Sequence, residues 1–300
     1  MRLSPAPLAA AVATALAAPV AAQAQGLSFS GVVSADHVHS GGAGRSLGYV
    51  DLTLGANPGA DGGFGFEAGV WGFAGSPGIA GQSMGFAAVT YGLGGGRLHV
   101  GAPRPGAHGF NTNPVTTGAV AALAETGIAS GHVPFSTVIS ATNRAPIIGL
   151  RYDRESGPLR YAVSLGRMID TPAVNVVSVG MAHQGANARV FGTLEHFWNA
   201  GGDVTVATVG GSVRVSDRVE VGGSLMHNTT GAGTTFVSAF ATAQVTDRLS
   251  VTASALGRSG TRIVALNAGY EVWNGVVLNA GVGHTSGVGS LWTVGLSRRF

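Results

Sequence analysis

From residue 27 onward, most of the chain consists of short segments in which apolar and polar residues alternate and which end at Gly, Asn, Asp or Ser. Between residues 249 and 255, the odd positions are Leu, Val or Ala and the even positions are Ser or Thr. Successive side chains of a strand point to opposite faces, so the pattern predicts strands with one apolar and one polar face. Sixteen segments fit: 27–37, 45–55, 64–73, 84–93, 97–102, 146–154, 159–168, 174–184, 187–197, 203–215, 218–227, 234–245, 249–256, 262–271, 276–284 and 290–300.

Residues 103–145 form the one long segment without this alternation. Its four prolines, at positions 103, 105, 114 and 134, prevent a continuous strand ladder. A loop of this length is uncommon in a compact domain unless it has a function. We therefore predict that it folds back onto the structure that carries it, with one or two helical turns between Thr116 and Thr126. The expected anchors are Phe110, Ile128, Phe135, Val138 and Ile139.

The composition agrees with strands and indicates export. The chain has 300 residues, 50 of them Gly and none Cys, and each Gly inside a helix costs about 1 kcal/mol relative to Ala. Residues 1–24 contain Arg2, an apolar Ala/Leu/Val run and a final Ala-Gln-Ala, which is typical of a cleaved signal peptide. Prolines at positions 5, 7 and 19 argue against a spanning helix. The mature chain is predicted to comprise residues 25–300.

Past residue 24, no segment is long and apolar enough for a spanning helix, so an exported chain is either soluble or a closed membrane barrel. Only 10% of residues are charged and the mean hydropathy is +0.31, which favours the barrel. The net charge of +3 without Lys/Arg runs makes nucleic acid an unexpected partner. Short turns follow the even-numbered strands and somewhat longer connections follow the odd ones. The predicted fold class is an all-β, antiparallel transmembrane barrel of sixteen strands, with the long loop after strand five folded into the lumen.

Three segments resemble the general porins of Gram-negative bacteria, in the subgroup with sixteen strands and short outer loops. They are Phe86–Gly101, Pro146–Arg167 and the terminal strand ending at Phe300. The resemblance implies an outer-membrane homotrimer in contact with outer-membrane lipid and lipopolysaccharide. It also implies that the loop after strand five narrows each pore, with acidic loop residues facing a basic wall. Here the only acidic residue of residues 103–145 is Glu125, so this chain departs from that pattern.

The alternation also predicts which charged residues line the lumen. A charge on the lipid face costs about 2 to 4 kcal/mol at mid-depth and roughly 0 to 1 kcal/mol near the strand ends, so interior placement is the default. Two of the arginines, Arg97 and Arg214, are close to turns and have the headgroup region as an alternative. The excess of basic residues predicts a weak preference for anions. The predicted pore-lining and constriction residues are Arg97, Arg151, Arg160, Arg189, Arg214, Glu125, Asp51 and Glu67, with Glu195 and Glu220 as further inward acids.

Other chemistry is weakly indicated. Asp36 would point away from His37 and His39 on a strand, so these residues predict no metal site. No Ser, His and acid arrangement predicts catalysis, and no helix follows the glycines at 94–96 to bind phosphate. We therefore expect no enzymatic activity and no cofactor. Aromatic residues near strand ends fit interfacial girdles: Trp71, Tyr91, Trp198, Tyr270, Trp273 and Trp292.

These features together predict a porin: a water-filled channel for passive diffusion of small hydrophilic solutes and ions. The alternative is an outer-membrane barrel that acts as an adhesin or as a substrate-specific binding and uptake protein. A third interpretation is an exported, soluble β-sandwich or solenoid.

Overall fold

The computed structural model describes residues 27–40, 42–57, 62–76, 81–111, 133–169, 173–199, 201–231, 233–258, 260–287 and 289–300. In this part of the chain, sixteen antiparallel strands form a closed barrel in which each strand pairs with its neighbours in sequence and β1 pairs with β16. The predicted all-β fold class and strand count are confirmed. The strands are β1 Leu27–Ser40, β2 Ala43–Ala56, β3 Phe64–Ser76, β4 Gln82–Leu93, β5 Gly96–Ala102, β6 Ile147–Ser156, β7 Leu159–Met168, β8 Val174–Gln184, β9 Ala188–Asn199, β10 Gly202–Ser216, β11 Val219–Asn228, β12 Thr234–Gln244, β13 Leu249–Arg258, β14 Thr261–Trp273, β15 Val276–Thr285 and β16 Gly289–Arg299.

The strand register divides the side chains into two faces. Residues directly opposite one another on paired strands share a face, so the pairing can be followed around the barrel from Asp51↔Trp71 to Ser34↔Ser297 and back to its start. The other face carries large apolar side chains that are exposed, such as Val89, Leu165 and Val209. The first set is the inner face, because the long connection packs against it.

Connections between strands are short at both ends of the barrel, with one exception. The turn between β4 and β5 is Gly94 and Gly95 with φ values of +60° and +73°, a left-handed conformation that glycine adopts without strain. The expectation of somewhat longer connections after odd-numbered strands holds for β5–β6 and for β3–β4, β7–β8 and β11–β12, which exceed most turns at the other end. It does not hold for β1–β2, β9–β10 and β13–β14, which are as short as those turns.

The exception is the connection between β5 and β6, of which residues 103–111 and 133–146 are described. It contains the helix α1, Phe135–Asn143, where no helix was predicted. The predicted helical turns at 116–126 lie outside the described residues. No helix in the described residues is long and apolar enough to cross a membrane.

The hydrophobic core lies between the inner face and this connection. One cluster joins Val133 and Ala141 to Trp71 and its neighbours on β3 and β4, and Val138 packs against it. A second cluster packs Phe135 and Ile139 against β6 to β10. Trp71 was expected in an interfacial girdle, and that expectation is wrong. The register places it on the inner face, where it is 2% exposed.

Candidate pore constriction

Arg104, just after β5, holds the start of the long connection against β2. Its Nη1 lies 2.8 Å from Oδ1 of Asp51 on β2, and its Nη2 donates to the Leu52 carbonyl oxygen at 2.7 Å. The guanidinium also lies over the Phe86 ring, 4.6 Å from its centroid. The side chain is 3% exposed. Because both charges are largely removed from water, losing either partner leaves an uncompensated buried charge.

The next residues of the connection lie directly on the wall. The backbone N–H groups of Gly106 and Ala107 donate to the hydroxyls of Ser164 and Ser178, each at 2.9 Å. A Cβ at Gly106 would lie 2.2 Å from the Ser178 carbonyl oxygen, so only glycine permits this approach. Small hydroxyl residues on β7 and β8 thus satisfy the backbone donors that this non-strand segment leaves unpaired.

Phe110 is the largest fully buried side chain of the described segment. It is 1% exposed and packs against Ala162, Ala182 and Phe191 of the wall. A Cβ at Gly180 would overlap its ring, with a separation of 2.3 Å from Cδ2. Two wall arginines hold the adjacent backbone, since Arg160 donates to the Gly109 carbonyl and Arg189 to the Phe110 carbonyl. The Arg160 guanidinium also covers the Phe110 ring at 4.4 Å from its centroid.

Glu195 on β9 holds the beginning of α1. Its carboxylate accepts hydrogen bonds from the Phe135 N–H at 2.5 Å, from the Ser136 N–H at 3.4 Å and from the Ser136 hydroxyl. The residue before the helix is Pro134, which makes no side-chain cap, and the first turn contains no acidic residue. The first N–H groups of a helix lack internal partners and attract negative charge. Glu195 supplies both the acceptor and the charge from the barrel wall.

A second charged cluster lies on β3, β5 and β6. His99 is 2% exposed, and its Nε2 lies 2.5 Å from Oδ1 of Asp153. The other oxygen of Asp153 accepts from Nε and Nη2 of Arg97 at 3.1 and 2.8 Å. Arg151 and Glu67 complete the cluster, with Arg151 Nε 3.5 Å from Asp153 and Glu67 Oε2 3.6 Å from His99 Nδ1. One carboxylate therefore serves two arginines and a histidine.

Beyond Phe110, the inner face of β7 to β11 borders an open cavity of about 420 Å³. Three arginines face it, one each from β7, β9 and β10, and Glu220 is the one carboxylate among its described lining residues. Polar side chains and turn residues of β8 to β10 make up the rest of the lining. The charged members are Arg160, Arg189, Arg214 and Glu220.

The fold matches solved structures of bacterial porins. An engineered Rhodopseudomonas blastica porin with a tryptophan substitution has 15% sequence identity and a TM-score of 0.67, and the match covers 91% of this chain and 100% of that one. A variant of the same porin with two acidic residues replaced by alanine has 14% identity, the same coverage and a TM-score of 0.67. The chain has the porin fold. No protein-family model and no curated protein matches the sequence.

In this porin fold, the register places the described members of the predicted site on the inner face, although they do not form a single group. Arg97, Arg151 and Glu67 belong to the Asp153 cluster. Asp51 binds Arg104, and Arg160, Arg189 and Arg214 border the cavity. Glu125 lies outside the described residues.

Sequence reasoning missed several residues that organise the site. Asp153 follows Arg151 by two residues on β6, so alternation places both on the same face. The sequence pattern could therefore have identified Asp153 as an inward acid. Ser164 and Ser178 lie within predicted strands, and nothing local marks them as partners of loop residues 58 and 71 positions away in the sequence. Among the described residues, no group of three or more His, Asp or Glu side chains is arranged to hold a metal ion.

Proposed function

We propose that this chain forms a water-filled channel in a bacterial outer membrane, through which small hydrophilic solutes and ions diffuse passively. The observation that carries the proposal is a closed barrel whose outer face is apolar and exposed. Val89, Leu165 and Val209 are 55%, 56% and 58% exposed on that face. Soluble monomers rarely expose such continuous apolar surface, whereas a closed barrel satisfies its backbone groups in lipid.

The long connection is proposed to set the size limit. Its described parts are fastened to the inner face at both ends, by Asp51 on β2 and by Glu195 on β9. Between these points it is held by small wall residues and by the two arginines that bind Gly109 and Phe110. A segment secured at several depths narrows the lumen without closing it.

We infer a weak preference for anions from how the inward charges are paired. Arg104 is neutralised by Asp51, and Arg97 and Arg151 share Asp153. The arginines that border the cavity outnumber its described carboxylate, Glu220, so the local potential there is positive. The members of that basic group are Arg160, Arg189 and Arg214.

Reversal potentials across a planar bilayer in a KCl gradient test both the channel and its preference for anions. We expect discrete conductance steps and a reversal potential of the sign that chloride permeation produces. A folded protein that gives no conductance would contradict the channel, and clear cation selectivity would contradict only the charge argument. Glu125→Gln is expected to change selectivity modestly, because one carboxylate contributes little against the basic wall.

Assembly and export follow from the same proposal. We propose a homotrimer in contact with outer-membrane lipid and lipopolysaccharide, and a signal peptide of residues 1–24 that is removed to leave a barrel of residues 25–300. Light scattering in detergent measures the number of subunits. Mass spectrometry of the protein from outer membranes measures the first residue, and a mass that includes residues 1–24 would contradict the predicted cleavage.

A further inference from the structure

The inner face of β13 to β15 contains a recess centred on Gly269. Gly269 lies directly opposite Ser250 on β13 and Asn279 on β15, and Asn267 is the preceding inner-face residue of its own strand. All three neighbours are polar and uncharged. Because glycine has no side chain, the three side chains surround a gap in the wall. We call this gap, bordered by Ser250, Asn267 and Asn279, the Gly269 recess.

The Gly269 recess is open to the lumen, and two polar atoms lie beside it. A Cβ at Gly269 would lie 3.2 Å from Val277 Cγ1, 3.4 Å from Ser250 Oγ and 3.5 Å from Asn279 Oδ1. A methyl group would therefore fit there with at most a small shift of Val277. Gly269, Ser250 and Asn279 are all partly exposed. A solute in the lumen can therefore reach the recess.

Two other inner-face glycines of this part of the barrel are covered by a neighbouring side chain. A Cβ at Gly281 would overlap Oδ1 of Asn267, and a Cβ at Gly295 would overlap Oδ1 of Asp36. Those side chains occupy the space that the missing Cβ leaves. Gly269 has no such close approach, so its small size is not explained by the packing of a neighbour.

The rim of the Gly269 recess offers both hydrogen-bond acceptors and donors. Asn279 Nδ2 donates to the Val277 carbonyl oxygen at 3.2 Å and to Ser297 Oγ at 2.9 Å, so its Oδ1 remains as an acceptor. The Ser250 hydroxyl can both donate and accept. Asn267 is 8% exposed, and its Nδ2 has no hydrogen-bond partner among the described residues. A buried donor without a partner is costly, and a solute oxygen bound beside it would satisfy it.

Charges on this wall lie only near its two ends. Among the described inner-face residues of β13 to β15, Arg258 and Glu271 are the two charged ones. Arg258 ends β13 where the long connection leaves the barrel, and Glu271 lies near the opposite end, where its Oε1 accepts from the Gly275 N–H at 3.0 Å. An ion in the recess would lose water without meeting an opposite charge, whereas an uncharged hydroxyl group exchanges its hydrogen bonds with water for equivalent ones.

Uncharged hydroxyl and amide groups continue on both sides of the recess. Thr252, two residues after Ser250, lies within 2.9 Å of the Thr242 hydroxyl on β12. On the other side, the hydrogen bond from Asn279 extends the polar surface to Ser297 on β16. These groups would meet the remaining hydroxyls of a solute whose first hydroxyl occupies the recess. The surroundings therefore suit a polyhydroxylated solute.

We propose that the Gly269 recess is a binding site for an uncharged saccharide, which places one of its hydroxyl groups in the gap as it passes through the lumen. The inference rests on the proposed channel and names a class of solute for it. A saccharide hydroxyl donates one hydrogen bond and accepts others. It therefore matches the Asn279 acceptor, the Ser250 hydroxyl and the Asn267 donor together, which a group that only donates or only accepts does not.

Saturation-transfer difference NMR of the folded protein, titrated with glucose, tests the proposal. The protein is folded in an amine-oxide detergent, because the headgroups of alkyl glycoside detergents would compete with glucose. Gly269→Ala places a methyl group in the recess, and Ser250→Ala removes a rim hydroxyl without adding volume. We expect each variant to raise the half-saturating glucose concentration at least about fivefold, which corresponds to the loss of about one hydrogen bond.

The matched control is Gly283→Ala, at another inner-face glycine of the same wall. A Cβ at Gly283 has a similar clearance, 3.1 Å from the Val264 carbonyl oxygen, but the residues opposite are the apolar Ala265 and Leu291. This variant should bind glucose as the unmodified protein does. Glucuronate, which differs from glucose by one carboxylate, should not saturate the unmodified protein in the concentration range in which glucose does.

Unchanged glucose binding by either folded variant would overturn the proposal, as would an equal effect of Gly283→Ala or equally strong binding of glucuronate. If Gly269→Ala does not fold, as judged by heat-modifiable gel mobility, Ser250→Ala alone decides. Conductance of the unmodified protein is measured separately. A conducting channel without saturable glucose binding refutes only the recess, whereas a folded protein without conductance refutes the channel.

Discussion

Replacing Glu195 by glutamine is expected to loosen the helix α1 from the barrel wall. Glu195 is 3% exposed, and its carboxylate accepts hydrogen bonds from the Phe135 N–H and from the Ser136 N–H and hydroxyl. Glutamine keeps one acceptor oxygen but places an NH₂ group against donors that need an acceptor. The substitution changes neither the length nor the branching of the side chain, so the wall itself is left intact.

The magnitude follows from the contacts that are lost. A hydrogen bond to a charged group contributes about 1.5 to 3 kcal/mol, and a negative charge at a helix N-terminus adds about 0.3 to 1 kcal/mol. The amide costs less to bury than the carboxylate, which offsets part of this loss. We therefore expect docking of α1 to weaken by about 2 kcal/mol, which raises the undocked population roughly thirtyfold.

Single-channel recording in planar bilayers measures this population. Glu195→Gln should show more frequent transitions, and longer dwell times, at conductance levels above that of the unmodified channel. Limited proteolysis of folded protein should also cut faster within residues 103–145. The matched control is Glu67→Gln, at a partly buried inner-face acid whose carboxylate approaches His99 on the wall. If Glu195→Gln conducts and is cut like Glu67→Gln, the carboxylate does not hold the helix and the reasoning fails.

Three further substitutions test other contacts of the same site. Gly180→Ala would place a methyl group against the Phe110 ring and should raise conductance noise, whereas Gly192→Ala, whose Cβ would lie 3.8 Å from the nearest atom, should behave like the unmodified channel. Arg104→Gln should lower the free energy of unfolding by about 3 to 5 kcal/mol, because Asp51 loses its buried partner. Denaturant titration measures this loss, and an effect that is no smaller in an Asp51→Asn background would show that the pair is not coupled. Replacing the three cavity arginines by glutamine should move the reversal potential in a KCl gradient towards cations, and an unchanged potential would assign selectivity to other residues; the substitutions are Arg160→Gln, Arg189→Gln and Arg214→Gln.

The strands were predictable because a strand with one buried face has a recognisable pattern among neighbouring residues. Alternation depends on neighbours two residues apart, so Leu249–Arg258 is recognisable from its own residues. The same parity assigned Arg151 and Arg160 to the inner face, where the register places them. Trp71 shows the limit of this approach. Its position near a predicted strand end suggested a place among the interfacial aromatic residues. In the structure, Trp71 lies opposite Asp51 on the inner face and is covered by the long connection.

The helix α1 was not predictable from its own residues. Phe135–Asn143 contains Ser, Thr, Val and Ile, which are poor or moderate helix formers, and it lacks a capping side chain. Its N-terminal donors are satisfied by Glu195, 60 residues away from Phe135. No pattern within the helix sequence predicts its contact with Glu195.

The amino-acid sequence by itself determined the alternating strands, the closed all-β fold that satisfies their backbone groups, and the inner face for charged residues in the middle of clear strands, such as Arg151 and Arg160. These properties follow from the two-residue period of a strand, which is local. The tertiary structure alone decided which charges neutralise one another and which border the open cavity. Asp51 meets Arg104 only because of the path of the long connection, and Asp153 meets Arg97 only because β5 pairs with β6.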